Sequence, residues 1–164
     1  MAISAPTKSS QYTDYTAKPQ TFVPASDWGA KLRSSHAKLT FTAAGFTTAA
    51  LGDITLIRMP AGAVRILVDL CRLVCPVGTG TSDLDIGISA YTNAAGTAVA
   101  LAGIALADSL DVGGGALDQT LPLPTGGFLE VNSRDGFDIV CSFDTANSPA
   151  AGDLVLNVVY QIGN

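Results

Sequence analysis

Three separate stretches of this 164-residue chain place hydrophobic side chains at every second position, and that period constrains which backbone can bury them. Leu84, Ile86, Ile88 and Ala90 alternate with Asp83, Asp85, Gly87 and Ser89. The pattern returns in Phe137, Ile139, Cys141 and Phe143, and again in Leu154, Leu156, Val158, Tyr160 and Ile162. Successive side chains of a strand point to opposite faces, so each stretch has one apolar face to bury. Turn signals stand between the stretches: Pro60 to Gly62, Pro76 to Gly80, Asn93 to Gly96, Gly113 to Gly115, Pro122 to Gly127, Arg134 to Gly136 and Ser148 to Gly152. Short apolar runs punctuated in this way predict an antiparallel sandwich or barrel.

Strands are expected near residues 39–47, 53–59, 63–74, 84–91, 98–104, 116–121, 127–131, 137–143 and 154–161. Eight or nine strands match a jelly roll, so the expected fold is all-β, an antiparallel jelly-roll sandwich of about eight strands preceded by an extended N-terminal arm. Residues 106–112 read as a short helix, because Leu106 and Leu110 with Asp108 and Asp111 suit one turn before the glycines at 113–115. No internal repeat and no second hydrophobic core is visible.

The arm is marked by a change of character near Lys38. Up to that residue the chain has five basic side chains and two acidic ones; from Leu39 onward it has four basic and twelve acidic. The first part lacks hydrophobic periodicity and is built from Ser, Thr, Ala, Pro and Gln, with Tyr12, Tyr15, Phe22, Val23 and Trp28 spaced along it. Such a segment cannot bury enough apolar surface to offset its own ordering entropy. Residues 1–38 are therefore expected to be an arm that a partner orders, and residues 39–164 the sandwich domain. Disordered tails run poor in aromatics, whereas recognition segments use them as anchors. Tyr12, Tyr15, Phe22 and Trp28 are the candidate anchors, and Lys18, Lys31 and Arg33, with Lys8, would steer the arm toward an acidic surface.

Composition narrows the function classes. Charged residues make up 14% of the chain against ~25% in typical soluble domains, so other protein should cover much of the folded surface. The acidic body has no basic stripe to release counterions, which argues against nucleic acid as a partner. Met1 to Ser4 do not open a secretory signal, and the longest apolar run, near residues 98–107, falls short of the ~20 residues a membrane helix needs. The expectation is a soluble protein folded in a cytoplasm, with no membrane contact.

Cys71, Cys75 and Cys141 are the candidates for redox or metal chemistry. A four-residue separation spans ~13 Å in a strand, too far for a disulfide between Cys71 and Cys75. It is also not the two-residue gap of zinc knuckles, and the one histidine, His36, lies in the arm region. The three thiols read as small buried hydrophobes. Glycines 113–115 precede no Lys-Ser or Lys-Thr, so no phosphate loop is present, and a Ser-His-Asp arrangement would have to recruit His36. Asp83 and Asp85 would lie ~6.6 Å apart on one side of a strand, near the separation of an inverting glycosidase and usable by Ca²⁺. The plainer reading is a solvated or interface-facing row, with Leu84, Ile86 and Ile88 inward. No catalytic residue, metal or cofactor is expected.

One stretch carries a resemblance. Asp53-Ile-Thr-Leu-Ile-Arg-Met-Pro-Ala-Gly-Ala-Val-Arg65 is followed by a long strand, then by Gly78-Thr-Gly-Thr-Ser-Asp-Leu-Asp-Ile-Gly87 and an Ala-rich stretch. Across residues 39–112 this pattern resembles the small jelly-roll head decoration, or cement, proteins of tailed bacteriophages. The resemblance implies a non-enzymatic virion protein on the outer capsid surface: a homotrimer at three-fold or quasi-three-fold positions that clamps adjoining major capsid protein subunits. The alternatives are another virion module, such as a head-fibre base or tail adaptor, and a glycan-binding jelly roll. The glycan reading is disfavoured because Tyr91 and Trp28 stand apart, with no aromatic platform along one strand face.

Overall fold

The computed structural model describes residues 32–41, 54–78, 83–122, 127–143 and 151–163. Within them run strands β1 (Leu32–Phe41), β2 (Ile54–Met59), β3 (Gly62–Leu67), β4 (Arg72–Cys75), β5 (Asp83–Ile88), β6 (Tyr91–Thr92), β7 (Ala98–Val99), β8 (Ala102–Asp111), β9 (Leu117–Thr120), β10 (Phe128–Ser133), β11 (Phe137–Phe143) and β12 (Gly152–Ile162). The protein is all-β, every strand pairing is antiparallel, and no α-helix occurs among the described residues. Two sheets form a sandwich, and β6 and β7 add a small hairpin.

β12 organises the first sheet. On one side it pairs with β1 from Leu32↔Gln161 to Phe41↔Gly152. Its other side meets β3 at Tyr160 to Ile162 and β4 at Val155 to Asn157. β10 continues the sheet beyond β3, and β9 continues it beyond β4. Strand β1 also moves the boundary of the expected arm: residues 32–38 pair along β12, so the division drawn at Lys38 falls inside a strand.

The run from 63 to 74, expected as one strand, is two strands separated by a 3-10 turn, Val68–Leu70. Side-chain parity explains the break. Val64, Ile66 and Val68 are buried, and so are Cys71, Leu73 and Cys75. The first three occupy even positions and the last three odd ones, which no continuous strand can place on one face. Without the turn, Arg72 would point into the core. With it, Arg72 faces outward and makes a two-pronged ion pair with Asp118 of β9 at 2.8 and 2.9 Å.

Breaking the ladder leaves β12 without a strand partner on that side opposite Val159, and the Cys71 thiol fills the place. Its Sγ accepts the Val159 N–H at 3.4 Å and donates to the Leu67 carbonyl at 3.3 Å. A buried backbone N–H left unmet would cost about 1–3 kcal/mol.

The second sheet runs β2-β11-β5-β8. Phe137, Ile139 and Cys141 of β11 and Leu84 and Ile86 of β5 join Ile66, Leu73, Leu156 and Val158 of the first sheet in one buried core. Phe41 meets Phe143 edge to face at 5.6 Å, linking β1 to β11 across the sandwich. The alternate positions on β5 and β11 are buried as well: Asp85, Gly87, Val140 and Ser142. Burial on both faces of these strands replaces the one-sided burial that period-two alternation predicts.

Strand β8 corrects the helix expected at residues 106–112. Leu84 pairs with Leu110 while Ile86 pairs with Ala107, so β8 has an extra residue at this point. The bulge, with Ser109 at φ 52, sets Ala107 and Leu110, three residues apart, opposite Ile86 and Leu84, two residues apart. A second irregularity, between Ile86↔Ala107 and Ile88↔Ala102, lays the Ala102 and Gly103 backbone over Gly87. A Cβ at Gly87 would stand 2.1 Å from the Ala102 carbonyl oxygen. Gly87→Ala should therefore lower unfolding free energy by about 3 kcal/mol or more. Gly115→Ala, where added carbon meets open space, should stay within about 0.5 kcal/mol, and urea denaturation of both variants checks the contrast.

Candidate functional site

Of the seven candidate partner-binding residues, Tyr12, Tyr15, Lys18, Phe22, Trp28 and Lys31 lie outside the described residues. Arg33 is exposed near the start of β1. The described residues begin at Leu32, the end of β1 that pairs with Gln161 of β12.

Asp83 and Asp85 are not an exposed pair. Asp83 is half-buried, whereas Asp85 is 3% exposed and its Oδ1 accepts the Ser109 N–H at 2.7 Å. The carboxylate thereby satisfies the backbone donor at the β8 bulge, a structural task that the expected solvated row did not include. Across the β5–β11 ladder Asp85 stands opposite Ser142, whose buried Oγ has no hydrogen-bond partner. Among the described residues no group of three or more His, Cys, Asp or Glu side chains could hold a metal ion.

The cysteines are free and buried. Desolvation pushes the Cys75 thiol up to about 12, and desolvation with the proximity of Cys75 pushes Cys141 up to about 12. Burial also raises Cys71, although its contact with the Val159 backbone opposes the shift. A thiolate is the nucleophile and the metal ligand, so these positions are poorly suited to either chemistry near neutral pH.

The most developed surface feature lies on the outer face of the first sheet, in residues that sequence reading did not single out. Arg65 on β3 stands directly across from Glu130 on β10, and Gln161 on β12 stands across from Arg65 on the other side. Arg65 Nε donates to Glu130 Oε1 at 2.7 Å, and its Nη2 reaches the same oxygen. One row further along, Ala63 faces Asn132, and the Gly163 N–H bonds to the Ala63 carbonyl at 2.8 Å. Small residues at 63 and 163 between longer neighbours leave a groove of about 310 Å³, lined by Ala63, Arg65, Glu130, Asn132, Gln161 and Gly163. Phe128, two residues before Glu130 and 45% exposed, has the Arg65 guanidinium 4.8 Å from its ring centre.

These partners are about 65 residues apart in sequence, which hid the pairing. The visible signal was the outward alternation Phe128, Glu130, Asn132 on a short strand beside a turn. Tyr91, weighed earlier as an isolated aromatic, packs on Phe137 with ring centres 6.0 Å apart and contributes no platform.

The remaining ion pairs also cross between strands. Lys38 meets Asp153 at 2.8 Å, and Thr40 Oγ1 donates to the same carboxylate at 2.7 Å. Together they hold the Asp153 carboxyl below the usual carboxylate range. Arg58 meets Asp138 at 3.1 Å on the second sheet. Among the described residues no helix is long and apolar enough to cross a membrane. No family model, no curated protein and no solved structure matches the chain.

The thiols give a prediction with a definite sign. A thiol whose folded pKa is raised favours the folded state fully below its ordinary value near 9, and that contribution falls away as pH rises toward about 12. Stability should be insensitive to these groups below pH 9 and should then drop by about 1.4 kcal/mol per pH unit for each thiol. Denaturant midpoints between pH 8 and 11 measure this slope in the wild type and in Cys75→Ala. In the folded protein at pH 8, Cys75 and Cys141 should resist iodoacetamide, and both should react after unfolding.

Proposed function

We propose that this protein is a non-enzymatic virion structural protein, a capsid decoration or cement protein of a tailed bacteriophage that binds the outer head surface and bridges major capsid protein subunits. The observation that carries the reading is the strand order joined to the site where the arm enters. Taking β3 with β4 and β10 with β9 as interrupted strands, the first sheet is ordered β1, β12, β3/β4, β10/β9 and the second β2, β11, β5, β8. Following the chain, β1 lies in the first sheet, β2 in the second, β3/β4 in the first, β5 and β8 in the second, β9/β10 in the first, β11 in the second and β12 in the first. That alternation supports reading the sandwich as a jelly roll.

The aromatic segment before Leu32 feeds directly into edge strand β1. A rigid body with an attached arm suits a clamp, because body and arm can engage adjoining capsid subunits. In a homotrimer the three arms add avidity without any very tight single site. The acidic balance after Leu39 disfavours nucleic acid, and the low charge fits a body largely covered by other protein.

The test is occupancy on heads that lack the protein, measured by cryo-EM. Full-length protein should decorate them. A variant lacking residues 1–31, which keeps all of β1, should stay folded by circular dichroism yet bind at least about a hundredfold more weakly, the scale on which avidity acts. Replacing Tyr12, Tyr15, Phe22 and Trp28 together by alanine should reproduce most of the loss, at about 2 kcal/mol for each aromatic that serves as a hot spot. Equal occupancy of all three proteins would remove the arm from the clamp, and no decoration by the full chain would sink the capsid reading. Light scattering at micromolar concentration should give the mass of a trimer; a monomer would refute the assembly.

A further inference from the structure

We infer that the groove on the outer face of the first sheet is a binding site for a neutral oligosaccharide. The Arg65–Glu130 pair is fixed by two contacts to a single oxygen, Oε1 of Glu130. Among the described residues Glu130 Oε2 and Arg65 Nη1 make no hydrogen bond, and neither do the side-chain amides of Asn132 and Gln161. A carboxylate acceptor, a guanidinium donor and two amides therefore line one groove with unused hydrogen-bonding capacity.

Those groups match the chemistry of vicinal hydroxyls. Each sugar hydroxyl both donates and accepts, so adjacent hydroxyls can donate a hydrogen bond to Glu130 Oε2 while accepting one from Arg65 Nη1 or an amide N–H. Arg65 and Glu130 cancel each other's charge, which favours a neutral polar ligand over an anion or a cation. The floor at Ala63 and Gly163 lets a ring approach the sheet, and the volume of about 310 Å³ lies at the lower end of ligand sites, roughly 300–1,000 Å³. Phe128 lies on the far side of the Arg65–Glu130 row from this floor and does not line the groove; its ring backs the Arg65 guanidinium, which helps to hold that donor in place. The Arg72–Asp118 pair on the same sheet differs in that its guanidinium contacts reach both carboxylate oxygens. The groove stands apart from the capsid reading, since none of its residues belongs to the arm.

The experiment titrates the full-length protein with hexasaccharides of glucose, mannose and galactose by calorimetry, with an oligogalacturonate as the acidic comparison. At least one neutral hexasaccharide should bind with a millimolar or tighter Kd. Ala63→Leu, which fills the groove floor without touching a polar group, should weaken that binding by about tenfold or more. Glu130→Gln should weaken it by about tenfold, the effect of losing one charged hydrogen-bond partner. Arg72→Ala should leave it unchanged. Circular dichroism of each variant verifies the fold, and head occupancy should not respond to Ala63→Leu. Absence of binding by every neutral sugar, binding indifferent to Ala63→Leu, or binding of the oligogalacturonate alone would each overturn the assignment.

Discussion

The switch of side-chain parity between Val68 and Cys71 is the constraint on which the first sheet depends. β12 runs unbroken for 11 residues, yet the chain pairing with it must turn its apolar side through half a strand repeat midway. A 3-10 turn makes that change at the expense of local ladder hydrogen bonds. Cys71 limits the loss by supplying sulfur as both acceptor and donor where the ladder fails. The turn also divides the outer part of the sheet, so that β10 extends one end and β9 the other. The groove beside Arg65 and the ion pair of Arg72 with Asp118 thus lie on opposite sides of the same interruption.

Period two made the β class readable, because Leu84 to Ile88, Phe137 to Phe143 and Leu154 to Ile162 are all strands. The parity change was written in the sequence too: Arg65 and Arg72 sit seven residues apart, on opposite phases of what resembled one strand. Charge at both phases of an apolar run signals a break, and that inference was available without coordinates. The β8 bulge was harder to see. Leu106 and Leu110 are four apart, a spacing compatible with a strand as well as a helical turn, and only the register against β5 distinguishes them. Asp85 was misjudged for a similar reason, since one of its partners is the backbone N–H of Ser109, which composition could not suggest.

The cysteines show how one residue type serves separate purposes. Cys75 and Cys141 behave as small hydrophobes whose burial suppresses ionisation. Cys71 is equally buried but acts as a hydrogen-bonding group. Spacing alone excluded a disulfide between Cys71 and Cys75, yet it could not reveal that a backbone N–H 88 residues away would need a partner.

Basic charge on the body is nearly all paired, while the acids stand in excess. Among the described residues, Lys38, Arg58, Arg65 and Arg72 each pair with an acid on a neighbouring strand, leaving Arg33 and Arg134 outside such pairs. Exposed pairs of this kind stabilise by ~0–1 kcal/mol each, too little to account for the fold. Their greater effect is on register, because a slip of one residue would carry each partner to the opposite face. They also cancel the positive field of the sheet: a surface whose cations are already neutralised in place offers little long-range attraction to an anionic partner. In the proposed cement role, electrostatic steering would then fall to the basic residues before β1, while the sheet would contribute shape and short-range hydrogen bonds. The groove beside Arg65 follows the same logic at smaller scale, since neutralised charges with spare hydrogen-bonding capacity select a ligand by hydroxyl geometry rather than by net charge.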